Sequence, residues 1–106
     1  MPMRKIEAII RVSALEPVEE ALRNAGVSGL TISRVRGFGA YRNYFRDDWT
    51  HRYARLEIFT SRAAEIADLI VDSAHTGQSG DGIVAIEPVD KAIRIRSRKV
   101  ITNGES

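Results

Sequence analysis

The chain contains no cysteine, only two histidines, three prolines and one tryptophan in 106 residues, and neither sign of charge dominates. Without cysteine there is no disulfide framework, zinc–thiolate site, thiol nucleophile or haem–thiolate. Sixteen Lys plus Arg against fourteen Asp plus Glu leave a formal charge of +2. Solubility alone accounts for such a balance, so the sum does not mark a nucleic-acid binder. The sequence has no apolar run of roughly 18 residues and no signal-peptide core, so the expected location is the cytoplasm. What remains is ordinary globular material, 43% hydrophobic and 28% charged, with the length of one domain over residues 1–106.

Local patterning predicts the elements in order. Lys5 to Val12 is short, β-branched and partly alternating, a strand. Glu16 to Ala25 reads as a helix, with Pro17 in its first turn, a buried stripe of Val18, Ala21, Leu22 and Ala25, and Gly26 as its stop. Leu30 to Arg36 alternates strictly and Tyr53 to Thr60 is a third strand. Ser61 is the expected cap of a second helix, whose apolar positions Ala64, Ile66, Ala67, Leu69, Ile70, Val71 and Ala74 cover a broad face. Ile83 to Pro88 is a fourth strand and Ala92 to Arg96 a short fifth, ahead of frayed residues from Thr102. Strand–helix–strand twice over predicts an α+β, ferredoxin-like (βαββαβ) antiparallel sheet with both helices on one face, plus a short C-terminal strand. One sheet face is then bare. It carries Ile6, Ala8 and Ile10 or their alternates, and an uncovered apolar face predicts an oligomer.

Three stretches carry chemistry. In Thr76-Gly77-Gln78-Ser79-Gly80-Asp81-Gly82, three glycines allow backbone amides to converge with no Cβ between them, as in a nest that cradles phosphate. A glycine-rich turn between a helix and a strand has the same composition, and the Walker spacing is absent. Arg94-Ile95-Arg96 alternates, so both guanidinium groups project from one strand face with Ile95 buried opposite, an arrangement suited to a polyphosphate or to a charged edge strand. Arginine clusters again at Arg34, Arg36, Arg42, Arg46, Arg52 and Arg55, around the irregular aromatic segment 38–52. Its opening, Arg36-Gly37-Phe38-Gly39, resembles the start of an RNA-recognition signature, and Ala40 then stands where a stacking aromatic belongs. An RNA-binding module built on the Arg- and aromatic-rich segment 34–55 is therefore the alternative function. His51 and His75 stand apart from any hydrolase-like pattern, and Asp81 reads as a turn former, so no enzyme is expected.

Taken together the motifs resemble the PII nitrogen-regulatory signal proteins, in a divergent PII-like form. The resemblance rests on Met3 to Arg11, Leu15 to Gly26, Gly29-Leu30-Thr31, Val35 to Gly39, the glycine segment 76–82 and Ala92 to Arg96, in that order along nearly the whole chain. It implies a homotrimer with the sheets facing inward and with ATP or ADP, or AMP, in clefts between subunits. Residues 38–52 would be the T-loop that meets a target protein, 76–83 the B-loop and 97–106 the C-terminal tail. The implied nucleotide ligands are Ile9, Thr31, Gly37, Phe38, Gly39, Thr76, Gly80, Asp81 and Gly82, with Arg94 and Arg96 reaching the phosphates from a neighbour. The chain departs from the family at Ile83, where a lysine usually follows the Gly-Asp-Gly, and at Ala40-Tyr41, which replace an Arg-Gln pair. The resemblance thus stops short of magnesium and 2-oxoglutarate. Arg52 or Arg55 would replace the lysine at the loop base, with a small anion such as bicarbonate held there beside the nucleotide. The implied target lies in nitrogen or inorganic-carbon metabolism.

Overall fold

The computed structural model describes residues 2–35 and 53–101. The elements run β1 (Arg4–Arg11), a 3-10 turn (Val12–Ala14), α1 (Leu15–Asn24), β2 (Thr31–Val35), β3 (Tyr53–Thr60), α2 (Ala63–Ala74), β4 (Gly82–Pro88), β5 (Ile93–Arg94) and β6 (Lys99–Val100). The four long strands form one sheet in the order β2-β3-β1-β4, and β5 with β6 forms a separate two-stranded hairpin. This is the ferredoxin-like α+β arrangement expected from the sequence.

Strand alternation decides which residues meet the helices. Antiparallel register sets Ile6 opposite Ile58, Ala8 opposite Leu56 and Ile10 opposite Ala54, all at most 1% exposed. On this layer lie Val18 and Leu22 of α1 and Ala63, Ile66, Ala67, Ile70 and Ala74 of α2, completing the core. Non-directional burial of apolar area, worth roughly 25 cal/mol per Å², drives the packing. Of the two sets of β1 residues, it is therefore the alternates of Ile6, Ala8 and Ile10 that occupy the bare face: Lys5, Glu7, Ile9 and Arg11. Across from them stand Phe59, Glu57, Arg55 and Tyr53 of β3, and β4 places Ile83 opposite Ile9. Phe59 is 49% and Ile83 55% exposed, while Lys5 Nζ reaches Glu57 at 3.1 Å and Glu7 at 3.8 Å. The hydrogen bond with Glu57 raises the Lys5 pKa.

Helix ends follow from local bonding. Gly26 stops α1 with a φ of 83°: its amide donates to Arg23 (3.1 Å) and the Val27 amide to Leu22 (3.0 Å), a Schellman pattern. Two details differ from the sequence expectation. Ser61 does not cap α2, whose cap position is Arg62 with no side-chain cap bond; instead Thr60 Oγ1 accepts from the Arg62 amide at 2.9 Å. The apolar face of α2 is also narrower, since Val71 is 48% exposed and Ala64 lies on the solvent side.

Where β4 begins, two backbones touch. Gly82 has a φ of 114°, and a Cβ built on it would lie 1.9 Å from the Ile9 carbonyl oxygen. No side chain can be accommodated there without parting β1 from β4. In urea unfolding, Gly82→Ala is expected to cost at least about 3 kcal/mol. Gly29→Ala, with nothing within 4 Å of its Cβ, is expected to change stability by less than about 0.5 kcal/mol.

Candidate functional site

Between α2 and β4 the glycine segment closes on itself through one carboxylate. Asp81 Oδ2 accepts from the amides of Thr76 (2.8 Å) and Gly77 (2.9 Å), the Thr76 hydroxyl donates to Oδ1, and the Gln78 amide donates to Thr76 Oγ1 at 3.1 Å. The Thr76 hydroxyl bond foremost, then the two amides and the nearby Arg11 charge, outweigh partial desolvation and hold the Asp81 carboxyl at about 2, below its ordinary 3.8. The first half of the loop is thus consumed in holding its shape. Among the described residues, the amides of Ser79, Gly80 and Asp81 donate no hydrogen bond. A closed frame with amides not bonded within it is what an oxyanion needs from a backbone nest.

Arg11 and Tyr53, which sequence reasoning did not single out as site residues, grip this loop. Arg11 Nη2 donates to the Ser79 carbonyl, and Arg11 Nε lies 3.6 Å from Asp81 Oδ1. Gly80 is buried beneath them: a Cβ there would come within 2.9 Å of Arg11 Nη2 and 3.1 Å of the Tyr53 hydroxyl. Tyr53, 2% exposed, pairs directly across from Arg11. The only sequence signal for Arg11 is its place in the β1 alternation, two residues beyond Ile9 on the bare face.

The remaining candidates divide into two groups and a masked set. Ile9 lies half-buried on the bare face beside Ile83. Thr31 and Arg94 line a cavity of about 250 Å³ together with Glu57, Phe59 and Gly29. That cavity lies toward the Phe59 end of β3, whereas the glycine loop lies at the Tyr53 end, so one chain does not bring the two together. A separate apolar cavity of about 160 Å³ under the loop is lined by Ile70, Ala74, His75, Asp81 and Gly82, without Arg94. The Arg-Ile-Arg expectation is corrected. Only Arg94 belongs to β5; Ile95 and Arg96 lie in the turn to β6, where Ile95 is 94% exposed and not buried opposite the arginines. The physical reason is the hairpin itself. Arg98 adopts a φ of 64° and its amide donates to the Arg94 carbonyl at 2.8 Å, which ends the strand. Lys99 and Val100, within the stretch read as a C-terminal tail, form the returning strand. Gly37, Phe38, Gly39, Arg52 and the rest of 38–52 lie outside the described residues, while Arg55 is on β3. Among the described residues, no three His, Asp or Glu side chains cluster as a metal site.

The family model for "Nitrogen regulatory protein P-II" matches residues 3–99. The chain belongs to the PII family. It is 39% identical over 104 residues to the nitrogen regulatory protein P-II of Synechocystis sp., covering 90% of this chain and 93% of that relative. It is 36% identical over 106 residues to nitrogen regulatory protein GlnK2 of Haloferax mediterranei, covering 92% and 86%. Among solved structures it is similar to Arabidopsis thaliana PII bound to citrate, with a TM-score of 0.78 and 32% identity over 93% of this chain and 88% of that one. This PII chain is therefore a signal-transduction regulator by family, and the glycine loop and the Thr31–Arg94 cavity are its candidate sites. None of its described helices is long and apolar enough to cross a membrane.

The Asp81 frame has a defined pH response. A carboxyl depressed in the folded state contributes stability that is complete above its unfolded value of 3.8 and is lost as pH falls toward about 2. The Thr76 and Gly77 amide NMR shifts are expected to titrate together with a midpoint near 2, and to show no titration in Asp81→Asn. A midpoint at 3.8 would mean that the carboxylate is not held.

Proposed function

We propose that this PII protein is a homotrimeric, non-catalytic sensor of adenine nucleotides in the cytoplasm. ATP or ADP, with AMP a third candidate, is bound in clefts between neighbouring subunits, the amides of Gly80, Asp81 and Gly82 taking the phosphates from one side. Arg94 and Arg96 of a neighbour take them from the other, while Thr31, Ile9 and the segment Gly37-Phe38-Gly39 surround the nucleoside. The nucleotide state sets the conformation of residues 38–52, which engage or release a target protein in nitrogen or inorganic-carbon metabolism. Bicarbonate is the proposed co-effector near Arg52 or Arg55.

The observation that carries this reading is the loop whose frame is closed by Asp81 while the amides of Gly80 and Asp81 donate no hydrogen bond among the described residues. Two further features support it. Arg94 stands away from that loop within one chain, so joint action on one phosphate chain requires a second copy. The bare sheet face with Ile9, Phe59 and Ile83 offers a surface on which copies can meet. That the Arabidopsis relative is bound to citrate accords with an anionic ligand. Signalling then requires that ATP and ADP differ in affinity for the two states of the loop; a nucleotide that binds both equally shifts nothing.

Isothermal titration with ATP and ADP on the wild type and on Arg94→Ala/Arg96→Ala tests the site, with sedimentation reporting the oligomer. Two charge-assisted hydrogen bonds predict a loss of affinity on the order of 100-fold in the double variant. Unchanged affinity, or a monomeric wild type, contradicts the reading.

A further inference from the structure

Ile95 is 94% exposed, and Ile93 and Val100 on the same β5–β6 hairpin are 50% and 48% exposed. Three such side chains on one short hairpin make a patch, which marks a contact with another surface. Residues 91–101 add Lys91, Arg94, Arg96, Arg98 and Lys99 and contain no carboxylate. The bond from the Arg98 amide to the Arg94 carbonyl fixes the turn, so Ile95 is presented as a knob in a cationic frame.

A hole of matching character lies at the other end of the chain. The apolar cavity of about 160 Å³ beneath the glycine loop forms where α2 meets the edge strand β4. Val71 and Ile83 in its wall are half exposed, so it is open to solvent. An apolar cavity of this size holds a hydrocarbon group of about six carbons, room enough for one isoleucine side chain. Asp68 and Asp72, both exposed, neighbour the lining residues Val71 and His75 at i,i+3 spacing. Neither is in an ion pair among the described residues, so an acidic rim awaits a cationic partner. Ile95 does not reach this cavity in its own chain. Its hairpin lies with the cavity at the Phe59 end of β3, whereas Ile10, Gly82 and Ile83 put the apolar cavity at the Tyr53 end. A knob at one end and a hole at the other define a head-to-tail contact, which closes into a ring.

We propose that Ile95 of each copy seats in the apolar cavity between α2 and β4 of the next copy, and that this seating carries Arg94 and Arg96 to the neighbour's glycine loop. The delivery of the arginines rests on the nucleotide reading above; the seating itself does not.

Because the chain has no cysteine of its own, disulfide mapping tests the contact without background. The double variant Ile95→Cys/Val71→Cys is oxidised and run on a non-reducing gel, with Ile95→Cys/Glu16→Cys, whose second position is exposed on α1, as the control. The first is expected to give a covalent ring of linked copies with at least about tenfold more product than the control, since only seated cysteines come within bonding range. A second variant, Ile95→Ser, changes a side chain that the single chain leaves in water. It is expected to keep the circular dichroism of the wild type and to weaken assembly by about tenfold or more in sedimentation. If the ring forms and calorimetry finds no ATP binding, the nucleotide reading fails and the seating stands. The seating is overturned, with the nucleotide reading intact, if the wild type assembles and binds ATP while the Val71 pair links no better than the control. A link within one chain, a link from Ile95→Cys to Ile95→Cys, or wild-type assembly by Ile95→Ser overturns it equally.

Discussion

The bond between the Asp81 carboxylate and the amides of Thr76 and Gly77 is the constraint on which the rest of the site depends. It folds the chain back at the end of α2 and commits the early amides of the loop to an internal acceptor. Among the described residues, the amides of Ser79, Gly80 and Asp81 then donate no hydrogen bond. An aspartate suits the task because it accepts several N–H and O–H donors at once, and its charge strengthens each bond. The same donors stabilise the ionised form, so the frame holds across the whole neutral range.

Downstream, the fold ties this loop to the sheet in two ways. Gly82 enters β4 against the Ile9 carbonyl with no room for a Cβ, and Arg11 with Tyr53 covers Gly80 from the bare face. The glycines therefore have a steric reason to be present that is independent of any ligand. The helix-side layer of Ile6, Ala8, Ile10, Leu56 and Ile58 forms the rigid base for both contacts. The two faces of the sheet differ in kind: apolar packing on the side of the helices, and arginines, the Lys5–Glu57 pair and exposed Ile83 and Phe59 on the other. On the proposed reading, the second face is where copies of the chain would meet.

Much of the fold was legible in the sequence because its determinants are local. The alternation of β1 and β3, the helical spacing of Val18 and Leu22, and the stop at Gly26 all act over a few residues. The glycine loop was legible too, as composition. The misreadings came where distant groups decide. Arg94-Ile95-Arg96 alternates as a strand does, yet Arg98 turns the chain back and leaves Ile95 in solvent. Ser61 has the right chemistry for a cap, but Thr60 takes the Arg62 amide. Arg11 and Tyr53 escaped notice because their role depends on cross-strand register and on a loop 68 residues away from Arg11.

Family membership supplies the regulator, and the physical question that remains is whether the framed loop is where the signal binds. The most direct measurement is an ¹⁵N–¹H NMR titration of the wild-type protein with ATP, following the amides of the glycine loop one by one. The account predicts that Gly80, Asp81 and Gly82 move on saturation while Thr76 and Gly77, already bonded to Asp81, stay close to their starting positions. Shifts confined to other parts of the sheet, with those three amides unmoved at saturating ATP, would contradict it.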